Sequence, residues 1–170
     1  VKGVNAVKLI LVRHAQAADL GEAGSLTDFD RPLTDLGWQQ AAALANALKK
    51  QGMQPDAVVT SPLVRAVQTA EPLAAELTPG KPPVVSERLA MGELKPKKLS
   101  KSLSEMGGAV LVLVGHQPDM GEYAAWLLDA EDENIKFEKG AAACIAIDGD
   151  IEAGGGLLEW LIPPGWFMPS

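Results

Sequence analysis

The 170-residue chain is 47% hydrophobic and 22% charged, which fits a globular protein with one substantial core. Its formal net charge of -7 excludes a general affinity for DNA or RNA, since no excess of Lys and Arg exists to neutralise a phosphate backbone. Cys144 is the one cysteine, so no internal disulfide framework forms, and the apolar run Leu9–Val12 is too short for a membrane span or signal-peptide core. The expectation is one cytoplasmic domain over residues 1–170, with no nucleic-acid or membrane partner.

In chain order, Lys8–Val12 (KLILV) reads as a buried strand. A polar loop follows from about Ala17 to Pro32. Thr34 is positioned to cap a helix running to about Gln51 and stopped by Gly52. Leu36, Gln40, Leu44 and Leu48, with Ala41 and Ala45, form its stripe. Ala57–Thr60 is a second strand, and Ser61-Pro62 reads as cap and first residue of the next helix. Pro72 is expected to kink or end that helix.

Val84–Ser86 is a brief strand, and Pro96–Met106 a short helix whose lysines (Lys95, Lys97, Lys98 and Lys101) read as a solvated face. Ala109–Val114 (AVLVLV) is the strongest strand, typical of one covered on both sides. Pro118–Leu128 is a helix. Ala141–Ile147 and Gly156–Ile162 are two closing strands at a sheet edge, with Cys144 a core residue of the first. Alternating strands and helices predict an α/β domain with a mainly parallel central sheet, helices on both faces and an antiparallel edge.

Three polar segments follow three of these strands: Arg13-His14, Ser61 to Arg65, and Gly115-His116. Carboxyl ends of parallel strands line the ligand crevice of such a sheet, so two arginines and two histidines should meet at one rim. These are the only histidines in the chain. A single histidine after a strand is more often a hydrogen-bonded structural residue, and a single arginine a surface one; the shared position of all four favours function. Guanidinium groups match a phosphoryl group, neutral imidazole is a competent nucleophile, and a helix start near Ser61 favours an anion. The sequence has no P-loop pattern, and no HxH, HExxH or Cys pair for a metal. No cofactor is expected.

The segments LVRHAQA (Leu11–Ala17), SPLVRAVQTAE (Ser61–Glu71) and VGHQPDM (Val114–Met120) together resemble the histidine phosphatase superfamily. Arg31-Pro32-Leu33-Thr34 with Gly37, the GHQPD form and the compact length narrow the likeness to SixA-type phosphohistidine phosphatases. It runs from about Leu9 to Pro164 and implies a phosphoglycerate mutase-like fold. It also implies that His14 becomes phosphorylated, that Arg13 and Arg65 clamp the phosphate, and that His116 hydrogen-bonds the phosphoryl oxygens. The loop Ala17–Pro32 should overhang the rim, which makes Arg31 a second-tier candidate for contacting phosphate or partner, with a plain surface arginine as the equal alternative. The implied substrate is a phosphorylated protein, a phosphocarrier or phosphorelay histidine domain.

Two departures stand out. Ala15 replaces the Gly of the usual RHG, so that position does not need a Gly-only dihedral. Many relatives carry an acid in a pattern like R-L-x-E, whereas Arg88-Leu89-Ala90-Met91 has Met there. An alkoxide leaving group needs a proton; imidazole leaves more easily, so the missing acid favours P–N cleavage. Glu93 and Asp119 are the substitute acids to consider, although a solvated loop carboxylate and a helix first-turn residue are the plainer readings. Two other functions stay open on these residues: a phosphatase for small monoesters, and a non-catalytic module binding a phosphorylated ligand.

Overall fold

A computed structural model describes residues 6–131 and 134–169. The strands are β1 (Ala6–Arg13), β2 (Ala57–Thr60), β3 (Val84–Val85), β4 (Val110–Gly115), β5 (Ala142–Asp148) and β6 (Gly156–Ile162); the α-helices are α1 (Asp35–Lys50), α2 (Val64–Leu77), α3 (Pro96–Met106) and α4 (Asp119–Leu128). All six strands join one sheet in the order β3-β2-β4-β1-β5-β6. The first four of that order run parallel, while β5 is antiparallel to both β1 and β6. The expected antiparallel edge is therefore present, with β5 one place in from the border.

The apolar runs of β1 and β4 are continuous because both faces are covered. Leu9, Leu11, Leu111 and Leu113 point to one side, with Leu99 and Leu103 of α3 and Tyr123 and Leu127 of α4. Ile10, Val12, Val112 and Val114 point to the other, with Leu44 and Leu48 of α1 and Ala66, Ala70 and Leu73 of α2. Cys144 belongs to this second layer, and burial with the neighbouring Glu159 pushes its thiol up to about 12. It is an inert core thiol.

Helix α1 begins as its sequence implies. Thr34 Oγ1 accepts the Gly37 amide at 3.1 Å, a cap contributing about 1 kcal/mol. Its buried stripe, however, is Gly37, Ala41, Leu44, Ala45 and Leu48, and Leu36 is exposed. The first turn lies so close to the loop after β1 that a methyl on Gly37 would land on the Gln16 carbonyl oxygen. Glycine is required there by proximity, and Leu36 is turned outward.

Two helix expectations are corrected in α2. Ser61-Pro62 does not open it: the helix starts at Val64, with Leu63 in the cap position and no side-chain cap. Ser61 is held to the sheet by its amide bond to the Val114 carbonyl, so its hydroxyl serves another partner. Pro72 does not end the helix, which continues to Leu77. A mid-helix proline costs about 3 kcal/mol, but burying Leu73 and Leu77 returns roughly 1.5–3 kcal/mol each. Packing outweighs propensity.

The lysines of α3 are exposed as expected. Near the end of the chain Phe167 packs against the second layer, whereas Trp166 is exposed. Among the described residues, no helix is long and apolar enough to cross a membrane.

Candidate active site

Register brings the two histidines together. Val12 pairs with Val114 and Arg13 with Gly115, so His14 and His116 lie one step past the ends of adjacent parallel strands. The His14 amide extends the ladder by donating to the Gly115 carbonyl at 2.9 Å. The ring centroids are 5.2 Å apart and tilted by 56°. Arg65 enters from the first turn of α2, 2% exposed, and its Nε donates to His14 Nε2 at 3.3 Å.

His14 Nδ1 lies 2.8 Å from the Ala15 carbonyl oxygen. A carbonyl only accepts, so Nδ1 carries the proton and donates. Nε2 then holds the lone pair, directed at Arg65. Burial first, then the proximity of His116 and of the Arg65 and Arg13 charges, push the His14 pKa down to about 3, with the Ala15 hydrogen bond opposing them. His14 is thus neutral at every ordinary working pH. Its loop is fixed by the Ala15 amide, which donates to Thr69 Oγ1 at 3.0 Å, and by the Gln16 amide, which donates to Gln40 Oε1. Ala15 is not among the positive-φ residues, in keeping with the absence of glycine.

His116 is 1% exposed. Its Nε2 lies 2.7 Å from Ser61 Oγ, and its Nδ1 is buried with no protein partner. Burial, followed by the charge of Arg65, pushes its pKa down to about 4. Arg13 is anchored through Nη1 to the Phe137 carbonyl at 2.7 Å, and its Nε too is buried without a partner. Burial and nearby Arg65 hold Arg13 below the usual guanidinium range. Two neutral imidazoles and two guanidiniums, with an unspent donor on Arg13 and an unpartnered ring nitrogen on His116, form a cationic cup suited to a tetrahedral anion. The Arg65–His14 hydrogen bond lies across the approach to His14 Nε2, so an anion seated against that nitrogen would meet it first.

Arg31 meets this group only through Asp28. Its Nε donates to the Ala18 carbonyl and its Nη1 pairs with Asp28 Oδ1 at 2.8 Å, so its head braces the overhanging loop. Asp28 in turn holds Arg65: Nη1 donates to its carbonyl oxygen at 2.6 Å and Nη2 to Oδ2 at 3.0 Å. The hydrogen bond from Arg31, then Arg65, keeps the Asp28 carboxyl below the ordinary carboxylate range. Sequence reasoning passed over Asp28 and took Ser61 for a helix cap; the one signal for Asp28 is its i,i+3 spacing to Arg31.

Met91 lies at the place of the missing acid, its sulfur 3.8 Å from Arg65 Nη2. Glu93 is exposed. Asp119 opens α4, as expected, yet it is 6% exposed rather than solvated. Its Oδ2 accepts the Gly92 amide at 2.7 Å, and burial raises its pKa against that bond. It ties the Met91 loop to α4. Among the described residues, no three His, Cys, Asp or Glu side chains are grouped to hold a metal ion.

Arg13, His14 and His116 at adjoining strand ends, with Arg65 beside them from the first turn of α2, make a site suited to phosphate. Residues 9–95 match the histidine phosphatase superfamily (branch 1). An uncharacterized protein of Picosynechococcus sp. (strain ATCC 27264 / PCC 7002 / PR-6) is 35% identical, covering 96% of this chain and 100% of its own. The phosphohistidine phosphatase SixA of Escherichia coli (strain K12) is 29% identical over 93% of this chain and 94% of its own. The solved structure of the protein histidine phosphatase SixA complexed with tungstate matches with a TM-score of 0.80 at 28% identity, covering 94% of this chain and 98% of that one. The chain belongs to the histidine phosphatase superfamily, as a phosphatase.

Proposed function

We propose that this protein removes phosphoryl groups from phosphohistidine on a partner protein, by way of a phosphoryl group carried on His14. The observation that carries the reading is the 2.8 Å contact between His14 Nδ1 and the Ala15 carbonyl. It fixes the proton on Nδ1 and leaves the lone pair on Nε2, to attack phosphorus in line once Arg65 turns from it to the phosphoryl oxygens. Arg65 and Arg13 take the phosphoryl oxygens, and His116 Nδ1 adds a further contact. Positive charge comes from guanidinium groups, so the chemistry asks for no metal or organic cofactor.

The same contact eases the second step. Once Nε2 is phosphorylated, the His14 ring still bears the Nδ1 proton, so water displaces it as neutral imidazole. No acid is required for that departure. In the first step, Met91 in place of a carboxylate favours a substrate whose leaving group is imidazole rather than alkoxide. The likeness to SixA, and tungstate as a tetrahedral anion in the similar solved structure, support the reading. A phosphocarrier or phosphorelay histidine domain is the proposed partner, and the cytoplasm the proposed location.

A phosphatase for small monoesters is the second reading, favoured by the buried Asp119 carboxyl with its raised pKa. Turnover of sugar phosphates that depends on Asp119 would establish it. The deciding experiment gives wild type and His14→Ala a protein labelled on phosphohistidine, with alkaline rapid quench and mass spectrometry to find phosphate on His14. Release by wild type alone, with a labelled His14, is expected. Equal release by both proteins refutes the proposal, and binding without release or label makes the chain a recognition module.

A further inference from the structure

Resting on the phosphohistidine reading, we infer that Asp28 is the specificity residue for the leaving group: its carboxylate accepts the distal N–H of the substrate imidazole and keeps that ring protonated while the P–N bond breaks. Asp28 occupies both terminal nitrogens of Arg65, so the Nε side of that guanidinium is the one turned to His14. The contacts therefore run from His14 through Arg65 to Asp28. Exposure rises along that line, for the Arg65 side chain is 2% exposed and the Asp28 side chain 45%.

An in-line transfer puts the leaving atom across phosphorus from His14 Nε2. The other nitrogen of His14 faces inward to Ala15, so the leaving ring lies toward solvent, the side to which the Asp28 side chain is 45% exposed while its oxygens still pair with Arg31 and Arg65. Two arginines hold that carboxylate ionised. It accepts a proton bond well and is unsuited to donate a proton, the reverse of what an alkoxide leaving group needs.

His14 Nε2 forms a bond to phosphorus, the P–N bond of the substrate breaks, and its electron pair stays on the substrate nitrogen. If the distal nitrogen of that ring is protonated, the ring departs as neutral imidazole; if not, it must depart as the much poorer imidazolate. Asp28 thus does for the substrate ring what the Ala15 carbonyl does for His14. This accounts for a cup with Met91 at the usual position of an acid.

The test compares wild type and Asp28→Asn on phosphoimidazole and on p-nitrophenyl phosphate, whose leaving group has no N–H. The ratio of kcat/KM values, phosphoimidazole over p-nitrophenyl phosphate, should fall about tenfold or more in the variant, the scale of a charge-assisted hydrogen bond. Asp28 also braces Arg65, so both rates are expected to drop; an unchanged ratio, however low the rates, overturns the inference. Wild type active on p-nitrophenyl phosphate but inert toward phosphoimidazole would instead overturn the phosphohistidine reading itself. Independently of any variant, a crystal of the wild-type protein with vanadate and imidazole should place a ring nitrogen within about 3.2 Å of the Asp28 carboxylate. A ring bound elsewhere overturns the assignment.

Discussion

Lowering the pH from 7 to 5 should cost this fold about 4 kcal/mol through its two histidines alone. In the unfolded chain both titrate near 6.5, whereas folding pushes His14 down to about 3 and His116 to about 4. Below pH 6.5 the unfolded chain takes up protons that the folded rings refuse, so stability falls as pH drops toward the folded values. At pH 5 linkage gives roughly 2 kcal/mol for each ring. That is a large share of a typical total of about 5–15 kcal/mol. The depressed carboxyl of Asp28 adds a loss of the same sign at lower pH, and the raised one of Asp119 opposes it. Urea unfolding at pH 7 and pH 5 measures the difference, and a His14→Asn/His116→Gln double variant should lose most of it. An equal pH dependence in wild type and double variant would refute the claim that burial keeps these rings neutral.

Two further outcomes follow from the geometry of the cup and its loop. Arg65→Lys keeps the charge but cannot hold Asp28 with two terminal nitrogens while a third faces His14, so kcat/KM should fall about 100-fold; a rate near wild type would show that a point charge suffices. Gly37→Ala pushes a methyl onto the Gln16 carbonyl and should destabilise the protein by about 3 kcal/mol, read as a lower urea midpoint. An unshifted midpoint would show that the loop after β1 yields freely.

Much of the site was legible because it follows from local patterns repeated at strand ends. The runs KLILV, AVVT and AVLVLV mark strands by apolar content, and each is followed at once by the polar residues that meet in the cup. His14, His116, Arg13 and Arg65 needed nothing more than that rule and the order of elements. Ser61 misled because Ser-Pro is a sound helix start locally, whereas the sheet's ladder extends one residue farther and claims its amide. Leu36 as a buried stripe residue and Pro72 as a helix end failed for related reasons: each local preference was outweighed by a tertiary contact, the approach of Gly37 to Gln16 in one case and burial of Leu73 and Leu77 in the other. Asp28 offered only its i,i+3 spacing to Arg31, a common surface pattern, whereas what ties it to the site is a pairing with Arg65 across the fold.

The pairing of β1 with β4 carries a consequence for how such a protein can vary. Side chains alternate between the two sides of a strand, so inserting or deleting one residue within either segment would swing one imidazole to the opposite side of the sheet and dismantle the pair. Lengthening the Ala17–Pro32 connection alters only what surrounds the mouth. Variation around the mouth is therefore open to this architecture through its outer turns, while the spacing of its paired imidazoles is locked to the main chain.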